Sequence, residues 1–136
     1  VKMSAFFRTA FLLAMGVVSM SRASGTTELS NEYLAILYES GTRRMVFRHK
    51  PTQVTFMEGP WCEDAQGGGE LVKIDSRAFG KGEAIRIRRG GGRFDLIGLY
   101  PDLPFVFVQG FQSNDMDEEI RIESIDLLHL RLSLDA

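Results

Sequence analysis

Beyond residue 23 the chain alternates apolar and polar positions with a period of two, and glycine-rich breaks separate the alternating runs. Helical spacing is weak throughout this stretch, so the pattern predicts an all-β fold. A first strand is expected over residues 29–38, and the turn at 39–42 returns the chain into a second over 44–49. Pro51 lacks an N–H donor and interrupts pairing before a strand over 53–57. Residues 58–69, ending in Gly67-Gly-Gly69, form the main loop, with the glycines as a flexible connection. A strand over 70–78 and a tight break at 79–82 follow. Next comes 83–89, where Ile85 and Ile87 share one face and Arg86 and Arg88 the other. Gly90-Gly-Gly92 joins it to 93–100 in the clearest hairpin of the chain.

Pro101 and Pro104 end that strand. The run 105–109 is apolar on both faces and suits a central strand covered on two sides, so the sheets must be layered into an antiparallel β-sandwich. Residues 114–119 concentrate acid in a solvated turn. From Ile120 alternation resumes, with Leu128, Leu130, Leu132 and Leu134 on one face of a last strand. An apolar stretch so close to Ala136, without a polar tail, is expected of a larger protein cut short.

The first 23 residues follow a different logic. Lys2 and Arg8 precede or flank an apolar run over 10–18, and small Ser21 and Ala23 fit cleavage after Ala23. This is the layout of a secretory signal, too short for a bilayer span of about 20 apolar residues. The division is therefore a signal peptide over 1–23 and a β-sandwich over 24–136, exported to the periplasm or medium, with no stable membrane span after cleavage.

The remaining portion, about 113 residues, suits one domain with one core. It carries 13 basic and 18 acidic residues, a net charge of −5. Its arginines are scattered among acids instead of forming a stripe, which excludes nucleic acid as a partner. Cys62 is the single cysteine, so no intramolecular disulfide exists and stability must come from burial. His49 and His129 are far apart and no His/Cys pair has zinc spacing. The acidic turn lacks the glycine and ligand alternation of an EF-hand, and the triple glycine is followed by neither Lys-Ser/Thr nor a helix, which excludes a phosphate loop. No metal or other cofactor is implied.

Three segments in order, Leu29-Ser-Asn-Glu-Tyr-Leu34, Phe79-Gly-Lys-Gly-Glu-Ala-Ile85 and Leu99-Tyr-Pro-Asp-Leu-Pro-Phe-Val106, resemble the N-terminal β-sandwich of bacterial α-galactosidase-like glycoside hydrolases related to raffinose synthase and seed-imbibition proteins. The resemblance implies a non-catalytic sandwich ahead of a (β/α)₈ barrel that carries the catalytic carboxylates. No strand-helix alternation exists here and a barrel needs about 200 residues or more, so no catalytic residue is carried over. The catalytic barrel would be a partner absent from this chain, and carbohydrate the ligand.

Under that reading Trp61, Tyr100 and Phe111 are the aromatics placed near loops or strand ends, where a ring stacks on a sugar face; the stronger expectation for each is a core or interface anchor, since aromatics bury large areas. The alternative is a free-standing secreted β domain that binds a ligand or a partner protein through its loops. An intrinsic enzyme would have to draw on Cys62 with His49 or His129, or on Glu63, Asp64 and the acids of 115–119, and spacing alone assigns them no role.

Overall fold

The computed structural model describes residues 25–114 and the backbone of residues 131–132. Among the described residues the strands are β1 (Thr26–Ser30), β2 (Leu34–Glu39), β3 (Arg44–His49), β4 (Val54–Pro60), β5 (Ala65–Ser76), β6 (Gly80–Arg89), β7 (Arg93–Leu99), β8 (Phe107–Gln112) and β9 (Arg131–Leu132). They make two antiparallel sheets in the orders β1-β2-β3-β4-β9 and β5-β6-β7-β8. The all-β, two-sheet architecture expected from alternation is thus present. The leader over 1–23 and the acidic residues 115–119 lie outside the described residues. Of the final alternating run only β9 is described, pairing Leu132 with Met57 and Arg131 with Glu58.

The sandwich closes because each sheet turns one alternate set inward. Leu29, Ile36, Tyr38, Met45 and Phe47 from the first sheet meet Ile85, Ile87, Ile97 and Leu99 from the second. Removing these side chains from water drives the layering, at about 25 cal/mol for each Å² of apolar surface buried. The sheets meet most closely where β1 runs beside β5: Thr27 Oγ1 donates to the Gly69 carbonyl at 2.8 Å. A Cβ on Gly69 would lie 2.8 Å from Ile85 Cγ2 and 3.0 Å from Tyr38 Cδ1, so only glycine lets the strands approach this far.

Three elements differ from the sequence expectation. The strand foreseen over 29–38 is a hairpin of β1 and β2, bent at Asn31. Asn31 Oδ1 accepts from the backbone N–H of Tyr33 and Leu34 at 2.9 and 2.8 Å, an Asx turn that competes with extended pairing. Gly67–Gly69 is not a flexible connection: it lies within β5, where the register jumps between Gln66 and Glu70. Two residues of β5 bulge out against β6, and the loop shrinks to 61–64. Finally, the run 105–109, expected as a central strand, enters β8 only at Phe107, and β8 ends the described sheet. The run is apolar on both sides because Val106 and Val108 pack on the core while Phe107 joins rings on the outside.

The hairpin foreseen around Gly90–Gly92 stands as expected, with Gly91 and Gly92 at φ of 70° and 74°. Among the described residues no helix is long and apolar enough to cross a membrane.

Candidate functional site

Strand parity fixes what the second sheet shows to its outer side. Ile85 and Ile87 point into the core, so Gly82, Ala84, Arg86 and Arg88 of β6 point away from it. Register then aligns cross-strand rows on that face. Arg88 lies opposite Phe94 and Phe94 opposite Phe111; Arg86 lies opposite Leu96 and Leu96 opposite Gln109; Ala84 lies opposite Gly98 and Gly98 opposite Phe107.

At the Phe107 end, small residues form a floor and rings form the walls. Phe79, from the turn between β5 and β6, sits 4.6 Å from Phe107 and 5.5 Å from Tyr100, centroid to centroid. Tyr100 meets Phe107 edge-on at 5.3 Å. Phe105 extends the cluster, 5.1 Å from Phe107. Between the rings and Ile74 is a groove of about 320 Å³ in which Asp75, Ser76 and Gln109 supply polar groups. At the opposite end Phe111 stacks on Phe94, 4.7 Å apart and within 7° of parallel.

The three aromatics singled out from sequence fall into different settings. Tyr100 walls the groove with its ring mostly covered. Phe111 is 41% exposed on the same face. Trp61 belongs to neither: it is 1% exposed at the end of the sandwich, and its indole Nε1–H donates to Asp95 Oδ2 at 2.7 Å. Its ring is a core anchor, and the sheet positions Tyr100 and Phe111 without it.

Sequence reasoning missed Phe79, Phe94 and Phe107 as members of one face. The signal was available in the run 105–108, where phenylalanines and valines strictly alternate and so sort by size onto opposite faces.

Trp61 and Asp95 anchor a second cluster. Arg89 reaches Asp95 at 3.6 Å and donates through Nε to Asp64 at 2.9 Å, while Arg93 caps the other Asp64 oxygen. Burial alone would raise the Asp64 pKa, but the hydrogen bond and charge of Arg89, then the charge of Arg93, outweigh it and hold the carboxyl below its usual value. Cys62 lines the same cleft of about 460 Å³. Burial pushes its thiol up to about 11, against the pull of Arg89, so the sulfur is protonated at neutral pH and is a poor nucleophile. Among the described residues, no histidine serves it. His49 pairs with Val54 at one end of the β3–β4 hairpin while Pro60, next to Trp61, pairs with Arg44 at the other, roughly 17 Å away along the strands. His49 Nδ1 instead meets Thr52 Oγ1 at 2.8 Å. Glu63 is exposed beside Asp64. No group of three or more His, Cys, Asp or Glu among the described residues is arranged to hold a metal ion.

The three segments behind the glycoside-hydrolase resemblance converge at one pole. Asn31 Nδ2 donates to the carbonyls of Tyr100 and Leu103 at 2.7 and 2.8 Å, tying the first segment to the third. A Cβ on Gly82 would fall 2.5 Å from the Leu99 carbonyl and 2.8 Å from the Tyr100 ring, so the second segment seats against the third only as glycine. Asn31, Glu32, Lys81, Glu83, Leu99 and Pro101, drawn from all three, line a shared cleft of about 580 Å³. Comparison of the chain with family models, curated proteins and solved structures gives no match.

Proposed function

We propose that this chain is a non-catalytic β-sandwich that binds carbohydrate, with the outer face of the second sheet as the ligand face. The observation that carries the reading is the groove between Phe79, Tyr100 and Phe107, where rings stand beside Asp75, Ser76 and Gln109. A sugar has an apolar C–H face and a rim of hydroxyls. Rings with adjacent hydrogen-bonding groups match both, in the manner of ligand sites that are mostly apolar with a few placed polar groups.

In its fuller form the proposal makes the chain the leading sandwich of a secreted α-galactosidase-like enzyme, supporting a catalytic barrel and its sugar cleft. Support for that form comes from the three resembling segments, which share one pole and lend Tyr100 to the groove. Gene sequence beyond the Ala136 codon tests it: a strand-helix repeat with acids at strand ends is expected, and its absence returns the chain to the role of a free-standing secreted binding domain.

Carbohydrate binding itself is tested by affinity electrophoresis of the full chain through gels containing neutral and acidic polysaccharides. Retardation is expected, and Phe79→Ala should weaken it, since Phe79 is 42% exposed on a turn and its loss spares the core. A chain that migrates unchanged through every gel would sink the reading.

A further inference from the structure

The ligand face is chemically uneven along its length. The row at the Phe111 end, Phe111–Phe94–Arg88, continues across β6 to Gln66 of β5. Next to it stands Arg86, whose Nη2 holds Glu70 at 2.6 Å and whose Nε has no hydrogen-bond partner. Arg86, Arg88, Arg93 and Phe94 border one cleft of about 330 Å³. The acids close to it are spent: Glu70 on Arg86, Asp64 on Arg89 and Arg93, Asp95 on Arg89. Arg88 is exposed and makes no close ion pair among the described residues; Glu70 feels its charge only weakly, after the hydrogen bond and charge of Arg86, so the cleft keeps a guanidinium with its N–H fork open beside a flat stack of two rings.

We propose that this end of the face recognises an acidic sugar unit, so that the ligand is a glycan bearing carboxylate or sulfate groups. The inference rests on the carbohydrate reading above and narrows it. A guanidinium presents a rigid fork of N–H donors that matches the two oxygens of a carboxylate or sulfate. Phe111, parallel to Phe94, offers its exposed ring to the apolar side of the same sugar. The anionic group then replaces water at Arg88 while neighbouring units run toward the Phe107 groove. From the Arg88 row to the Ala84 row is four residues of strand, roughly 13 Å, a span that a short oligosaccharide covers. A nucleic acid fits the arrangement less well. The full chain is net negative, and one guanidinium without a close ion pair is no stripe for a phosphate backbone.

The test titrates the full chain by calorimetry with four probes: a neutral galacto-oligosaccharide, an oligogalacturonate of the same length, a sulfated galactan oligomer and a single-stranded oligonucleotide. One or both acidic sugars should bind about tenfold tighter than the neutral one, and the advantage should shrink with added salt. Whichever leads, uronate or sulfate, names the source of the charge. Arg88→Gln should erase the advantage of the acidic sugars over the neutral one; Arg88→Lys should keep part of it. Phe79→Ala should weaken neutral and acidic sugars alike. Equal binding of neutral and acidic sugars would overturn the acidic-sugar inference and leave the carbohydrate reading standing, whereas no sugar binding at all removes both. An oligonucleotide bound as tightly as the uronate would also overturn it, because the cleft would then be a general polyanion site.

Discussion

The indole N–H of Trp61 and the carboxylate of Asp95 meet at 2.7 Å inside the sandwich, 34 residues apart in sequence, and join the end of β4 to the middle of β7. Asp95 is 2% exposed and leans on Arg89 as its cationic neighbour. A buried carboxylate stripped of one donor is costly, so Trp61→Phe should lower unfolding stability by about 2–4 kcal/mol, counting the lost bond and the space left by the smaller ring. Asp95→Asn keeps an acceptor for the indole and should cost less. Urea unfolding of both variants checks the order, and equal losses would show that the hydrogen bond is not what matters.

Tyr38 presents the opposite situation. Its hydroxyl is buried without a hydrogen-bond partner among the described residues, and burial raises its pKa. Tyr38→Phe should therefore leave stability unchanged or raise it by up to about 1 kcal/mol, because it removes an unsatisfied group and keeps the ring. A loss beyond about 1 kcal/mol in the same urea assay would mean that the hydroxyl is satisfied after all.

Asn31 uses its whole amide, accepting twice within its own turn and donating twice to the loop after β7. Asn31→Ala should cost about 2–4 kcal/mol at about 1 kcal/mol for each bond lost. Asn31→Asp should preserve the turn but set a carboxylate against two carbonyls. Both variants are expected to speed proteolysis near residues 101–106, read by mass spectrometry of the fragments.

Glycine positions separate cleanly. Gly82→Ala forces a Cβ to 2.5 Å from the Leu99 carbonyl and should destabilise by about 2 kcal/mol or more, while Gly68→Ala, with open space around it, should change little. Thermal melts of the two variants side by side decide whether the packing at the pole is as close as described.

The charge cluster predicts an acid-side signature. Asp64 has a lower pKa folded than unfolded, because Arg89 and Arg93 favour its charged form over the opposing effect of burial. Its stabilising contribution is complete above the unfolded value near 3.8 and drains away as pH falls through the lower folded value. Asp64→Asn should flatten stability against pH in that window and leave the slope near neutrality alone. For Cys62, whose thiol lies at about 11, alkylation by iodoacetamide should be slow at pH 8 and accelerate toward pH 11. Fast labelling at pH 8 in the folded protein would contradict its packed position.

Much of this architecture was legible because alternation is a direct record of which face a strand buries. Ile85, Ile87, Arg86 and Arg88 sorted correctly on period alone, and the glycines of 90–92 announced their hairpin. What escaped was decided by contacts remote in sequence. Nothing local to residues 29–38 says that Asn31 will find the carbonyls of Tyr100 and Leu103, so a hairpin passed for one strand. The run Gly67–Gly69 carries no side chain to show that it packs under Thr27 and Tyr38. Trp61, next to a loop in sequence, turned inward because Asp95 waits there with an acceptor, a pairing that no spacing rule encodes.

The bulge in β5 has a consequence for how copies of the molecule meet. β5 is twelve residues long and ends the second sheet as described, so an unbroken version would offer a long row of free amides and carbonyls to a neighbouring chain. The irregularity between Gln66 and Glu70 splits that row, and exposed Lys73 and Asp75 place charges on the longer remaining piece. The strand is thereby a poor template for fibril growth, and concentrated protein should resist seeding along this border.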